Sequence, residues 1–254
     1  MWKRLRILVA FFSSCLPIQA QESGQRVSDS NLNGWFMYFG DHPISPKWGV
    51  HLEGQWRRND VINRWQQLLL RPAINLEVNP NLVLTGGYAY VKSYPYGDFP
   101  ARDSFPEQRI FQQLLLKHRL GRVDVQHRYR LEQRFIGQVL RSAIGSPAVD
   151  SWRYQNRFRY FVKAAVPLSD SKESQWYLGF YDEVFLHFAP NSGASVFDQN
   201  RAYAALGRKL SRTERIEVGY MNQTLIHRSG RVQETNHTLQ VSFFSVAPFR
   251  FARR

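Results

Sequence analysis

Polar side chains, most of them charged, occupy every second position of one short stretch, Val123–Phe135, which reads VDVQHRYRLEQRF. They are Asp124, Gln126, Arg128, Arg130, Glu132 and Arg134, of which the last four are candidate site residues. A period of two places these residues on one face of a β-strand and the intervening Tyr129 and Leu131 on the other. Guanidinium and carboxylate groups that are confined together must pair or stay hydrated, because an isolated desolvated charge is too costly. The stretch therefore predicts either a ladder of ion pairs or a surface that attracts anions.

The same arrangement recurs in later segments and extends the candidate site. The further charged residues on alternating faces are Arg157, Arg159, Glu183, Arg201 and Glu217. With the first four they form a predicted lumen network, in which the arginines set the electrostatic field and Glu132, Glu183 and Glu217 anchor them. Across all segments the charged faces carry about twice as many basic as acidic residues. This excess favours small anionic solutes over cations.

Eleven segments from Gly34 onward read as strands that could position these residues. They cover roughly 34–40, 47–57, 63–78, 81–92, 107–120, 123–135, 151–167, 175–188, 198–210, 214–226 and 234–246. Apolar residues on one face and polar residues on the other suit a membrane barrel, in which the apolar face meets lipid and the polar face lines the lumen. We predict an all-β fold: an antiparallel transmembrane β-barrel of about 10–12 strands, apolar outside, with a polar and charged lumen. Bacterial single-chain barrels have even strand numbers, so either residues 21–33 supply a strand or one segment is not a strand.

Two tryptophans of the second segment fit the dimensions of such a barrel. Trp48 and Trp56 share a face and are separated by about 26 Å at ~3.3 Å per residue. The apolar band between the aromatic girdles of an outer-membrane barrel is about 25 Å tall. Short turns, such as Gly121-Arg122, also alternate with longer connections, such as 93–106. In these barrels the short turns are periplasmic.

The N-terminus indicates export. Residues 1–20 have a basic start, a short apolar core and a small residue at position 20, which predicts a signal peptide. A lipoprotein signal with Cys15 as the lipidated residue is the alternative. Residues 21–33 are expected to be a polar tail or plug, and residues 34–254 the outer-membrane β-barrel domain. The expected location is the bacterial outer membrane, after export through the inner membrane.

The formal net charge of +14 raises the question of partners. An exported chain rarely meets nucleic acid, so we expect none as a partner. The expected partners are outer-membrane lipids and lipopolysaccharide, the barrel-assembly machinery and small anionic solutes. Seven scattered histidines and no paired carboxylate spacing predict no metal site, and no cofactor is expected.

Three functional interpretations remain open. The first is a small porin-like passive channel with a basic, anion-favouring lumen. The second is a closed structural or surface-binding barrel, in which Arg102, Arg141 and Arg228 of the longer loops would contact lipopolysaccharide. The third is a lipid acyl hydrolase at the rim, for which His118 and His127 are candidates and for which no matching serine is evident. We expect the chain not to be an enzyme, and Asp182, which falls on the lipid side by strict counting, to be turned inward by a bulge.

Several motifs in order resemble a known family. They are Trp48, Leu70-Arg71-Pro72, Gly86-Gly87-Tyr88, Glu132-Gln133-Arg134-Phe135, Arg157-Phe158-Arg159-Tyr160, Tyr181-Asp182-Glu183, Phe197-Asp198-Gln199-Asn200-Arg201, Gly219-Tyr220-Met221-Asn222-Gln223 and Asn236-His237. This order resembles the domain-of-unknown-function family 2490, bacterial exported proteins that look like outer-membrane β-barrels. The resemblance covers about residues 33–247 and implies the barrel fold but no activity. One departure is the basic end of the chain beyond Phe249 and Phe251, where such barrels commonly end on an aromatic residue.

Overall fold

The computed structural model of the protein describes residues 26–141, 146–169, 175–188 and 193–249. The predicted signal peptide at 1–20, its Cys15 and the terminal Phe251 lie outside these residues. The strands are β1 (Val27–Pro43), β2 (Trp48–Asn59), β3 (Arg64–Asn79), β4 (Leu82–Ser93), β5 (Phe105–Leu120), β6 (Val123–Leu140), β7 (Ala148–Pro167), β8 (Trp176–Phe188), β9 (Phe197–Lys209), β10 (Glu214–Ile226) and β11 (Val232–Ser245). Nowhere in the described ranges is there a helix of the length and apolarity needed to cross a membrane.

The eleven strands close into one barrel. Each strand pairs with its neighbours in the chain in the antiparallel sense, and β1 closes the barrel against β11 in the parallel sense. An odd number of strands requires one such pair, because the first and last strands then run in the same direction. The predicted all-β barrel of about 10–12 strands is thus confirmed, whereas the expected even number, and with it a fully antiparallel sheet, is wrong.

The first strand begins earlier than the sequence indicated. Residues 27–33, predicted to belong to a polar tail or plug, form the first half of β1 and pair with β11. The side chains of Asp29, Asn31 and Asn33 are buried on the lumen side, and Ser28, Ser30 and Leu32, which alternate with them, are exposed. Because two of these three outer residues are serines, the alternation of hydropathy that marks the other strands is weak here.

The connections define two different mouths. The described residues of the long-loop mouth are 60–63, 94–104, 141, 146–147, 193–196 and 227–231, and those of the short-turn mouth are 44–47, 80–81, 121–122, 168–169, 175 and 210–213. The parallel closure separates the two ends of the described chain. Val27 begins at the long-loop mouth, where its N–H donates to the carbonyl of Arg231 at 2.9 Å, whereas Phe249 lies at the short-turn mouth against Pro43.

The barrel has its charged residues inside and its apolar residues outside. Arg130 and Glu132 of β6 are each 1% exposed, whereas Leu131 between them is 41% exposed. Large apolar side chains are exposed along the outer wall of most strands. The exposed tryptophans lie near strand ends: Trp56, Trp65 and Trp152 towards the long-loop mouth, and Trp48 and Trp176 towards the short-turn mouth. The predicted apolar exterior and charged lumen are therefore confirmed.

Candidate functional site in the barrel lumen

Glu132 is the centre of the charged network. Its carboxylate accepts hydrogen bonds from Nε and Nη2 of Arg157 at 2.9 and 2.5 Å and from Nη1 of Arg159 at 2.7 Å. Arg71 and Arg130 lie at 3.7 and 3.9 Å from the same carboxylate. The register of β6 and β7 explains this grouping, because it places Glu132 opposite Arg157 and Arg130 opposite Arg159. The buried Glu132 carboxylate thus binds two arginines by hydrogen bonds and lies within 4 Å of two more.

A second carboxylate, Glu183 of β8, continues the network across the lumen. It accepts hydrogen bonds from Arg128 at 2.8 Å and from Arg159 at 2.7 Å, and Arg201 lies 3.9 Å away. Arg159 therefore bridges Glu132 and Glu183. We use the name ionic layer for Arg71, Arg130, Glu132, Arg159 and Glu183, which together cross the middle of the barrel.

Glu217 lies apart from the ionic layer. It accepts two hydrogen bonds from the Lys163 ammonium, at 2.6 and 2.8 Å, and one from the Tyr177 hydroxyl at 2.9 Å. The sequence grouped Glu217 with the arginines as one of their anchors. In the structure it is buried in the lumen as expected, but its cation is a lysine.

One cluster of the lumen was not predicted. Glu107 accepts hydrogen bonds from Arg109 at 2.7 and 2.9 Å and from Arg134 at 2.5 and 3.1 Å. Arg134 was predicted, whereas Glu107 and Arg109 were missed. Their signal was present, since Glu107, Arg109, Phe111 and Gln113 alternate, but the apolar run 114–116 that follows obscures the period.

Two chambers lie in the part of the lumen that the structure describes. The long-loop chamber has a volume of about 550 Å³ and the short-turn chamber about 450 Å³. The residues that border both are Trp35, Gln55, Arg71, Arg159 and Arg201. Volumes of this order are those of small-molecule sites. The side chains of these five residues therefore lie between the two chambers.

The connection 94–104 forms a roof over the long-loop chamber. The hydroxyl of Tyr96 donates to Glu234 of β11 at 2.5 Å. A Cβ on Gly97, whose φ is +72°, would lie 2.8 Å from Oδ2 of Asp29, so the backbone of this loop lies directly against the β1 side chains. Burial and the Glu234 carboxylate raise the pKa of Tyr96, which keeps its phenol protonated and able to donate. We use the name roof loop for residues 94–104.

The rim residues proposed for hydrolase chemistry lie on the outer wall. The rings of His118 and His127 stack at 5.2 Å, and Nδ1 of His127 lies 2.8 Å from the hydroxyl of Tyr160. The hydrogen-bond partner of His127 is therefore a tyrosine and not a serine. This arrangement resembles a stacked aromatic cluster more than a nucleophile and its base.

Asp182 also remains on the outer wall. It lies opposite Val162 in an unbroken β7–β8 register, and both its oxygens accept from the Asn200 amide at 3.0 Å. The bulge expected at Asp182 is wrong, because the irregularity of β8 falls between Phe185 and Leu186, in its pairing with β9.

The loop arginines have different surroundings. Arg141 is 2.5 Å from Asp103 in an ion pair, whereas Arg102 is exposed and Arg228 borders the long-loop chamber. Within the described part of the chain, no group of three or more histidine, cysteine, aspartate or glutamate residues is arranged to hold a metal ion.

Comparison with known proteins places the chain in a family. The family described as "Protein of unknown function (DUF2490)" matches residues 32–234. An uncharacterized protein of Methylorubrum extorquens is 30% identical over 196 residues, which cover 76% of this chain and 78% of the relative. No solved structure is significantly similar. The resemblance inferred from the ordered motifs is thus confirmed, and the chain belongs to the DUF2490 family.

Proposed function

We propose that this protein is a bacterial outer-membrane β-barrel that takes small anionic solutes into its basic lumen and has no catalytic role. It reaches the outer membrane by export through the inner membrane and insertion by the barrel-assembly machinery. Outer-membrane lipids and lipopolysaccharide surround it there. Its ionic layer keeps the barrel closed across the middle at rest.

The outer wall is the observation that carries the membrane proposal. A wall of exposed Leu, Ile, Val and Tyr side chains is costly in water, whereas a bilayer covers it. Trp48 and Trp56 lie on this wall near opposite ends of β2, which supports an aromatic girdle at each interface of a bilayer. The closed sheet also suits a bilayer, because unpaired strand edges are not tolerated in lipid.

The lumen supports the anion proposal. The long-loop chamber is bordered by nine arginines against the carboxylates of Glu107, Asp198 and Glu234. A cleft lined mainly by one sign of charge raises the local concentration of the opposite ion. Solutes would enter from the long-loop mouth, beside the roof loop.

The first experiment tests location and closure together. Cells expressing the full chain are fractionated on a sucrose density gradient, and folding is followed by the heat-modifiable gel mobility of the barrel. We expect a folded, heat-modifiable band in the outer-membrane fraction. A chain found in the soluble or inner-membrane fraction would overturn the proposal. Purified barrel in a planar bilayer is expected to carry no steady current, because the ionic layer is closed.

An open, porin-like channel is the second candidate. The observation in its favour is that five residues border both chambers, so only a thin layer of side chains separates them. Discrete openings that prefer anions under a salt gradient would establish this function instead. The Arg130→Glu substitution should then reduce the anion preference, since rings of arginine select anions. A silent bilayer with folded protein excludes the channel.

A further inference from the structure

Two buried arginines of the long-loop chamber differ from the rest in what holds them. Arg157 and Arg159 are held by the carboxylates of Glu132 and Glu183, and Arg109 by Glu107. Arg57 and Arg201, by contrast, donate their hydrogen bonds to neutral glutamine amides. Each is as deeply buried as Arg109, at 7%, 8% and 6% exposure.

Arg57 is bound only by amide oxygens. Its Nε donates to Gln55 at 2.8 Å and its Nη1 to Gln67 at 2.6 Å, and Nη2 contacts Gln55 as well. Among the described residues, no carboxylate forms an ion pair with it. A guanidinium has five N–H donors, so these three contacts leave two donors of Arg57 unused.

Arg201 has even fewer partners. Its Nε donates to Gln199 at 3.1 Å. The nearest carboxylate, Glu183, is 3.9 Å away and already accepts from Arg128 and Arg159. Most donors of Arg201 are therefore unused in the described structure, although the group is buried.

The same indole ring places the two cations near each other. The guanidinium carbons of Arg57 and Arg201 lie 3.8 and 4.9 Å from the centroid of the Trp35 ring, so they are less than about 9 Å apart. The indole N–H of Trp35 donates to Gln66 at 2.7 Å, which fixes the ring. Like charges at this separation repel in a buried site, and the carboxylate that forms an ion pair with Arg201, Glu183, is shared with Arg128 and Arg159.

We propose that Arg57 and Arg201, positioned on Trp35 at the floor of the long-loop chamber, form the binding site for a small dianion or trianion. The inference deepens the proposed function and rests on it. Buried guanidinium groups with unused donors match carboxylate and phosphate oxygens, which they bind by short charge-assisted hydrogen bonds. Two cations require at least two negative charges, and a chamber of about 550 Å³ accommodates a compact organic acid.

A ligand-binding role also makes a prediction about stability that a structural role does not. Removing one partner of a buried ion pair destabilises a protein, whereas removing a buried charge that has no partner relieves it. Arg57→Gln and Arg201→Gln should therefore raise the midpoint of thermal unfolding of the unliganded barrel. Arg109→Gln is the matched control, because Arg109 is equally buried but forms an ion pair with Glu107. This substitution should lower the midpoint of thermal unfolding.

The test uses the full chain, folded in detergent micelles, with citrate, succinate and inorganic phosphate as probes and glucose as the uncharged control. Isothermal titration and thermal unfolding are both measured. We expect at least one of the anions to bind wild type and raise its unfolding midpoint, and glucose to do neither. Arg57→Gln and Arg201→Gln should each weaken anion binding about tenfold or more, because a hydrogen bond to a charged group contributes at least that much. Arg208→Gln removes an exposed arginine that lies over Trp176 and should leave binding unchanged.

The outcomes separate the site from the function. If wild type binds an anion and both Arg57→Gln and Arg201→Gln bind it equally well, the proposed site is wrong while the anion-binding lumen stands. If wild type binds none of the three anions, both are wrong. Lower stability of Arg57→Gln and Arg201→Gln without added anion would assign the two arginines to structure rather than to ligand binding.

Discussion

The hydroxyl of Tyr96 donates to the carboxylate of Glu234 at 2.5 Å, although the two residues are 138 positions apart in the chain. Tyr96 follows β4, and Glu234 belongs to β11, which is separated from β4 by β3, β2 and β1 in the barrel. The roof loop therefore reaches across the mouth instead of projecting away from it. His227 and Asn236 contact the same carboxylate at 2.9 and 2.6 Å, which fixes the acceptor.

We predict that Tyr96→Phe loosens the roof loop without unfolding the barrel. The substitution removes one hydrogen bond to a carboxylate, which contributes about 1.5–3 kcal/mol, and leaves Glu234 with its other two partners. Trypsin cleavage after the exposed Arg102 of the roof loop should become faster, as measured by mass spectrometry of the fragments. Tyr94→Phe is the control, since Tyr94 contacts Trp65 through its ring. Equal cleavage rates in wild type and Tyr96→Phe would mean that this bond does not hold the loop.

The parallel pairing of β1 and β11 predicts that the described chain begins and ends at opposite mouths. We expect the thiol of Ser28→Cys to react with a maleimide as the thiol of Ser229→Cys at the long-loop mouth does. The thiol of Arg212→Cys, at the short-turn mouth, should react differently. The sole native cysteine, Cys15, belongs to the predicted signal peptide, so each variant has one thiol after cleavage. Labelling of intact cells with a membrane-impermeant maleimide should modify the first two variants and spare the third until the cells are opened.

The labelling pattern tests the strand count and the orientation separately. If Arg212→Cys alone reacts in intact cells, the barrel is inserted in the opposite direction but its parallel closure stands. If Ser28→Cys follows Arg212→Cys instead of Ser229→Cys, the chain begins at the short-turn mouth and an even number of strands is correct.

The faces of the strands were predictable from the sequence, but the contacts across the lumen were not. A period of two assigned Arg130, Glu132, Arg157 and Glu183 to the lumen, and all four are buried there. Which carboxylate meets which arginine depends on barrel width and stagger, which alternation within one strand does not specify. The contacts of Arg159 with both Glu132 and Glu183 therefore could not be predicted from the sequence.

Other misses have local physical causes. The first half of β1 has only weak hydropathy alternation because Ser28 and Ser30 are polar on the outer wall as well. Strict alternation would also place Arg119 and Asp124 in the lumen, but they lie beside the turn at 121–122, where they form an exposed ion pair at 3.1 Å. Periodicity thus identifies the face of a strand but not the height at which the lumen ends.

The ionic layer predicts a large loss of stability when its central anion is removed. Glu132→Gln keeps the shape of the side chain but leaves Arg157 and Arg159 short of a counter-charge. Breaking a buried pair in this way costs about 3–5 kcal/mol. Unfolding in urea, followed by tryptophan fluorescence in lipid vesicles, measures the change. Asp124→Asn is the control, because its exposed ion pair with Arg119 contributes only about 0–1 kcal/mol. Similar losses in the two variants would show that the layer is hydrated rather than desolvated.

The carboxylate on the outer wall provides the last test of the membrane proposal. Asp182 lies near the middle of β8, between Val162 and Ala202 of the neighbouring strands, with Asn200 as its hydrogen-bond partner. A charge on the lipid-facing wall destabilises a barrel most at mid-height, and less for Asp than for Arg. Asp182→Leu should therefore stabilise the barrel in vesicles by a net amount of about 1 kcal/mol, after the loss of the Asn200 hydrogen bond is subtracted. Asp124→Leu, at the exposed short turn, should change the free energy of unfolding little. A clear loss of stability in Asp182→Leu would mean that this part of the wall meets a polar partner, such as another protein, in place of lipid.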